Sequence, residues 1–248
     1  MSGINLQGRV ALITGSSRGI GRAIAERLAA AGADIAVNFT QGREAAADVV
    51  ATVERLGAKA VAFQADVSKT ADVRRLFDEA SAQFGHLDIV IAAAGIIVHK
   101  PLLETTEEDF DRLFNINAKG SFFVMQEAAK RLVDGGRIIA FSSTLTSLMA
   151  PGYSAYSGTK GAVEQFVRSL AKELGKRKIT VNAVAPGPVE TDMLTKTEPR
   201  ETLQYLAGFS AFARLGQPDE IADVVAFLAS DSARWVSGQT VRVNGAAM

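Results

Sequence analysis

Seven short apolar runs, each separated from the next by a longer stretch with mostly helical spacing, constrain this chain more than any other feature. The runs lie near Val10–Ile13, Asp34–Asn38, Ala60–Gln64, Ile89–Ala92, Arg137–Phe141, Ile179–Val184 and Thr240–Val243. Helical patterns occupy the intervals near Ile20–Ala31, Arg43–Leu56, Ala71–Phe84, Glu107–Leu132, Ala155–Lys176 and Pro218–Leu228. Strand alternating with helix implies a mostly parallel sheet covered on both faces. Right-handed crossovers wind such a sheet in two directions from its middle. The expected fold is therefore α/β, with a doubly wound, seven-stranded sheet and helices on both faces. No linker, repeat or low-complexity segment interrupts residues 1–248, so a single domain is expected. The least regular interval, about 190–215, places Pro199 and Gly208 beside Met193, Leu194, Leu203, Phe209 and Phe212. It reads either as a lid over a pocket or as an ordinary pair of surface helices.

A chain of 248 residues, 48% of them hydrophobic, can bury a large core. Its formal net charge is +0, which gives no electrostatic reason to expect nucleic acid or an anionic membrane as a partner. No apolar run reaches the length of a membrane span and no signal-peptide pattern follows Met1, so a cytoplasmic protein is the expectation. Zero cysteines exclude disulfides, thiol catalysis and cysteine metal sites. With two histidines, His86 and His99, no metal site is expected. His86 follows Gly85 at a helix end, where a cation complements the dipole. His99 follows Ile96-Ile97-Val98 and borders the expected pocket, with no proton-transfer role assigned to it.

Thr14-Gly15-Ser16-Ser17-Arg18-Gly19-Ile20-Gly21 follows the first strand and opens the first helix. Strand, glycine turn and helix in that order read either as a phosphate site or as a plain turn with a helix cap. Gly15 takes the tight turn, Gly19 admits backbone close to a pyrophosphate, and Gly21 packs the helix on the strand. Unpaired N–H groups at the helix start then face the anion. A second pattern, Tyr156-Ser157-Gly158-Thr159-Lys160, opens a later helix. Tyr156 and Lys160 are four apart and share a helix face. A phenol titrates near 10 when unperturbed, and a nearby ammonium favours its phenolate form. Such a pair is either a solvated helix face or an acid–base unit.

The chain resembles the short-chain dehydrogenase/reductase family, with similarity to 3-oxoacyl-[acyl-carrier-protein] reductases and related carbonyl reductases. The resemblance runs through Thr14–Gly21, Asp66-Val67, Ala94-Gly95, Asn117-Ala118-Lys119-Gly120, Ser142-Ser143, Tyr156-x-x-x-Lys160 and Pro186-Gly187-Pro188-Val189-Glu190-Thr191. It implies a single Rossmann-fold domain with its ligand at the carboxyl ends of the strands. It also implies a catalytic set of Asn117, Ser143, Tyr156 and Lys160. Ser143, thirteen residues before Tyr156, is preferred to Ser142 and would stabilise charge on the substrate oxygen. Tyr156 would deliver the proton. Lys160 would lower the tyrosine pKa and bind the nicotinamide ribose, and Asn117 would hold a water linking Lys160 to solvent. The implied cofactor-binding residues are Gly15, Ser17, Arg18, Gly19, Ile20, Gly21, Asn38, Phe39, Thr40, Asp66, Val67, Ala93, Ala94, Gly95, Tyr156, Lys160, Pro186, Gly187, Val189 and Thr191.

Two departures from the family pattern stand out. Ala92-Ala93-Ala94-Gly95 replaces the usual Asn-Asn-Ala-Gly, which puts local rigidity in doubt more than chemistry. Asn244-Gly245-Ala246 stands where Asp-Gly-Gly is frequent. Cofactor choice reads from the end of the second strand. Phe39 holds the place where an acid would bind the free ribose 2′-OH of NAD. With Arg18 in the glycine loop and Arg43 nearby, NADP(H) is preferred, with NAD(H) possible. Asp66 would accept the adenine amine, although capping of the next helix is its alternative role.

The expected activity is NADPH-dependent reduction of a ketone or aldehyde to an alcohol, a reversible hydride transfer with Tyr156 as general acid/base. Ile96, Thr144, Met149, Tyr153, Met193, Phe209 and Phe212 are apolar or weakly polar pocket candidates. They suit a small-molecule carbonyl compound with an apolar body. Alternatives are reduction of 3-oxoacyl groups on acyl carrier protein, against which Asp134-Gly135-Gly136-Arg137 places an acid where a cation would help docking, and reduction of polycyclic phenolic ketones. An alternative of another class is a catalytically silent NADP-binding regulator. Surplus apolar residues on the two long helices, Ala128, Ala129, Leu132, Phe166, Leu170 and Ala171, predict a homotetramer, with a dimer as the fallback. Phe114, Phe122 and Phe123 are expected in the core or an interface, and Trp235 in packing.

Overall fold

The first strand, β1 (Val10–Thr14), is buried at every position and lies in the middle of the sheet. The computed structural model describes residues 3–196 and 199–247, apart from the side chain of Met193. After β1 come α1 (Gly19–Ala30), β2 (Asp34–Phe39), α2 (Arg43–Arg55), β3 (Ala60–Gln64), α3 (Thr70–Phe84) and β4 (Ile89–Ala92). The second half runs through α4 (Glu107–Leu113), α5 (Ser121–Arg131), β5 (Arg137–Phe141), α6 (Ser154–Glu173) and β6 (Thr180–Pro186). It closes with α7 (Asp192–Thr195), α8 (Arg200–Ala207), α9 (Pro218–Ala229) and β7 (Thr240–Val243). The strand order is β3-β2-β1-β4-β5-β6-β7, and every pairing is parallel. The chain winds outward from β1 to β3 and then returns to β4 beside β1. That reversal opens a crevice at the carboxyl ends of β1 and β4. The fold is the doubly wound Rossmann arrangement expected from the alternation.

Alternation along β1 sorts the two cores. Ala11 and Ile13 face α1, α2 and α9, packing with Ile24, Leu28, Val49 and Val225. Val10 and Leu12 face α3, α5 and α6, packing with Leu76, Phe77, Met125 and Val163. Burial on both faces explains why these strands read as continuous apolar runs.

Three expectations change. The helix expected over Glu107–Leu132 is divided: α4 and α5 are separated by a π-helical segment, Phe114–Gly120. Side-chain spacing alone does not reveal the extra residue per turn, and such segments gather at functional sites. Ala128 and Leu132 do not extend past the sheet contact; they are buried core residues. Trp235 does not pack. It is 97% exposed, because the tight turn Asp231–Ala233 turns Ala233 inward and leaves Trp235 outside. Among the described residues, no helix is long and apolar enough to cross a membrane.

Candidate active site

The glycine turn leaves β1 at Gly15, whose φ of +67° suits glycine. A Cβ there would stand 2.9 Å from Ala94 Cα. A Cβ on Gly21 would approach Ser16 Cα to 2.9 Å, so this glycine sets how closely α1 meets the turn. The turn is stitched to β2 by Asn38. Gly15 N–H donates to Asn38 Oδ1 at 3.1 Å, and Ser16 N–H donates to Asn38 O at 2.9 Å. Ser17 is buried, Ile20 packs on the first core, and Gly19 begins α1. The helix starts without a side-chain cap on its first N–H groups. Arg18 immediately precedes it, exposed and without a side-chain hydrogen bond or ion pair to the described residues. Uncapped N–H groups, glycine backbone and a solvent-facing guanidinium fit a phosphate-bearing dinucleotide.

The adenosine end differs in detail from the sequence reading. Asn38 is buried, and its Nδ2 donates to Ala65 O at 3.1 Å and Phe63 O at 3.3 Å. Its side chain is therefore a brace between β1, β2 and β3. Phe39 is also buried, which leaves its backbone, and Arg43 lies 5.8 Å above its ring. Thr40 is exposed at the strand end and bonds Ala65 O through its hydroxyl at 3.2 Å. Asp66 Oδ1 accepts from Ser68 N–H at 3.0 Å and Ser68 Oγ at 2.7 Å. Asp66 thus caps its own turn rather than the start of α3. Val67 is buried against Gly120, where an added Cβ would meet its Cγ2 at 3.1 Å. A cleft of about 370 Å³ opens here, lined by Thr40, Gln64, Asp66, Lys69, Asp72 and Arg75. Lys69 and Arg75 are cations that motif reading missed, since neither lies in a recognisable pattern. A larger, shallow concavity of about 790 Å³ lies on the acidic side of α4 and holds none of the expected site residues.

After β4, Ala93 N–H and Ala94 N–H both donate to Thr14 Oγ1 at 3.1 Å. Thr14 supplies a brace for the turn in which the family's asparagine is missing. Gly95 lies where Asn117 and Lys160 converge: a Cβ there would be 3.2 Å from Asn117 Oδ1 and 3.4 Å from Lys160 Nζ. Asn117 is fully buried in the π-helical segment. Its Oδ1 accepts Ile96 N–H at 2.9 Å and its Nδ2 donates to Ile96 O at 2.8 Å. It holds the loop after β4 by both backbone groups of one residue.

The Tyr156–Lys160 pair sits in the first turns of α6. Lys160 is buried, donates to Phe141 O at 2.9 Å and lies 5.8 Å from the Tyr156 ring centre. Ser143 shares a hydrogen bond with the Tyr156 side chain, while its Oγ accepts Leu145 N–H at 3.2 Å. Ser142 instead donates to Glu164 Oε1 at 2.6 Å, which separates the two serines by task. Burial pushes the Tyr156 phenol up to about 12, against the pull of the Ser143 hydrogen bond. Burial likewise lowers the Lys160 ammonium to about 8. The tyrosine lowering expected from Lys160 is thus absent from the chain alone, because desolvation is the largest influence on the phenol and disfavours its charged form.

The last strand ends bring in the remaining residues. Pro186 ends β6, and Gly187 passes so close to Asn244 that a Cβ would lie 2.9 Å from the asparagine Cβ. Val189 is buried, and Thr191 reaches within 3.5 Å of a Cβ placed on Gly19. Within the interval 190–215, Asp192–Thr195 forms α7 and Arg200–Ala207 forms α8. Their far end is tied to the carboxyl-terminal turn by Ala211 N–H to Gly245 O at 2.8 Å. Tyr205 and Phe212 are exposed on this segment, Phe209 is partly so, and the Met193 side chain lies outside the described residues. Among the described residues, no group of three or more His, Cys, Asp or Glu side chains is placed to hold a metal ion.

Comparison with known proteins agrees with this geometry. Residues 15–246 match the family model described as enoyl-(acyl carrier protein) reductase. A short-chain dehydrogenase/reductase of Pestalotiopsis microspora is 49% identical over 97% of this chain and 95% of its own. A hydroxynaphthalene reductase-like protein, Arp2, of Metarhizium brunneum is 44% identical over 97% and 95%. Among solved structures, a short-chain dehydrogenase from Burkholderia cenocepacia in complex with NADP superposes with a TM-score of 0.94 at 39% identity, covering 98% of this chain and 99% of that one. The angucycline C-6 ketoreductase LanV with bound NADP gives 0.94 at 41% identity, covering 98% and 96%. By its motifs, its sheet order and these matches, the chain belongs to the short-chain dehydrogenase/reductase family of oxidoreductases.

Proposed function

We propose that this protein is an NADPH-dependent carbonyl reductase that converts a ketone or aldehyde to an alcohol, reversibly. The observation that carries this reading is the convergence of Ser143, Tyr156 and Lys160 at the carboxyl end of β5. When bound, the reduced nicotinamide supplies the hydride that the carbonyl carbon accepts. The Ser143 hydroxyl donates to the carbonyl oxygen and stabilises its growing charge. Tyr156, protonated through the neutral range, gives that oxygen its proton. Lys160 spends one donor on Phe141 O and keeps the others for ribose hydroxyls. Asn117 fixes the loop that floors the site. A panel of ketones and aldehydes, followed by loss of NADPH absorbance, tests the assignment. Tight NADPH binding without turnover of any carbonyl would favour a silent regulator instead.

NADP preference is read from Arg18, which has no side-chain partner among the described residues, and from the absence of a carboxylate at Phe39 and Thr40. The NADP bound in two structural relatives supports it. Arg18→Ala is expected to weaken NADPH binding by about 1.5–3 kcal/mol, roughly ten- to hundredfold, and to spare NADH. Fluorescence titration with both nucleotides checks this, and tighter NADH binding by the unaltered protein would reverse the assignment.

A second reading, reduction of polycyclic phenolic ketones, is favoured by the flat aromatic pair His99–Tyr153 beside Tyr156. Similarity to the hydroxynaphthalene reductase-like relative and to the angucycline ketoreductase lends it support. We further propose a homotetramer. Phe122 is 42% exposed on α5 and meets the Phe166 ring of α6 at 5.2 Å, which leaves an aromatic ridge on the outer side of the two helices. Light scattering is expected to give four times the 26.2 kDa chain mass; a value near one chain mass would exclude a stable oligomer.

A further inference from the structure

We propose that His99 is a positioning residue: stacked on Tyr153, it forms a flat wall beside Tyr156 that selects carbonyl compounds carrying a fused aromatic ring. This inference rests on the carbonyl-reductase reading of the same site. The two rings lie 4.4 Å apart with planes 2° from parallel. Tyr153 in turn meets Tyr156 edge-on, with centroids 6.4 Å apart. Stacking covers one face of each ring, so the imidazole keeps a single free face within the same aromatic cluster as the group that handles the proton.

The wall is held on several sides. Gly152 has a φ of +80°, and any Cβ there would collide with the His99 ring. Lys100 N–H donates to Gly152 O at 2.9 Å, joining the loop after β4 to the loop before α6. The Lys100 ammonium is anchored to Asp109 Oδ2 at 2.5 Å in the first turn of α4. At the other end of the same loop, Asn117 grips both backbone groups of Ile96. His99 thus projects from a strap fixed at both ends. It remains exposed, beside the exposed Ile97, so the surface is accessible to a ligand. A ring fixed in this way accepts a planar partner with little ordering cost, whereas a saturated ring gains only area contact.

The test compares 2-tetralone with 2-decalone, two ketones that share a bicyclic skeleton and differ in one aromatic ring. Binding of 2-naphthol, followed by its own fluorescence, serves as a readout without turnover. His99→Ala is expected to raise KM for 2-tetralone by about three- to tenfold, with kcat nearly unchanged, and to leave 2-decalone unaffected. The same variant should weaken 2-naphthol by a similar factor. His99→Phe, which keeps a flat ring, should restore both. Equal shifts for the two ketones, unchanged 2-naphthol affinity, or failure of His99→Phe to rescue would each overturn the proposal. If neither ketone is reduced while 2-naphthol binding still depends on His99, the wall stands and the carbonyl-reductase reading falls.

Discussion

Tyr156→Phe is expected to lower turnover by about 10²–10⁴-fold while the fold and NADPH binding persist. The substitution removes one hydroxyl and keeps the ring that meets Tyr153 edge-on. The Tyr153 ring lies 6.4 Å from that of Tyr156 between centroids, and the ring contact of His99 is with Tyr153. With the phenol at about 12 in the unliganded chain, reduction has a protonated donor across the working range. Oxidation of an alcohol needs the phenolate and should gain with rising pH. Stopped-flow measurement of NADPH oxidation, with NADPH affinity determined separately, decides the point. Turnover within a few-fold of the unaltered protein would refute Tyr156 as the acid.

Lys160→Met is expected to abolish turnover and yet make the chain without cofactor more stable at neutral pH. Lys160 is buried, and its pKa falls from 10.5 to about 8 through desolvation. Below pH 8 the ammonium is charged in both the folded and unfolded states, and burying it costs on the order of 3 kcal/mol. As pH rises from about 8 to 10.5, only the unfolded chain still binds the proton, so stability increases. Above that window the penalty is gone. Methionine fills similar volume without charge, although loss of the hydrogen bond to Phe141 O offsets about 1–2 kcal/mol. A net gain of about 1 kcal/mol at pH 7, shrinking to a loss above pH 10.5, is the expected result of urea unfolding. A less stable variant at pH 7 would show that the ammonium is not carrying this cost.

The sequence by itself determined the sheet, the crossovers and the glycine turn. Periodicity is local, and a strand buried on both faces announces itself as an apolar run, as Val10–Thr14 does. It also brought Tyr156 and Lys160 onto one helix face, because four residues make about one turn. What lay beyond its reach depends on contacts between distant segments. The π-helical turn that points Asn117 at Ile96 is set by long-range hydrogen bonds, so Glu107–Leu132 reads as one helix. Asn38 and Phe39, adjacent to the cofactor end in sequence, are turned into the protein by the pleat of β2 and by the carbonyls of Phe63 and Ala65. Thr14 takes over a bracing role that composition assigns to no residue. His99 and Tyr153 are 54 positions apart, and no periodicity relates them; only the joining of two loops at Lys100 and Gly152 makes them one surface. Burial had the largest chemical consequence. Residue type supplies the phenol and the ammonium, but the tertiary structure removes water from both and moves their pKa values in opposite directions, because burial disfavours the charged form, which is the phenolate of one and the ammonium of the other.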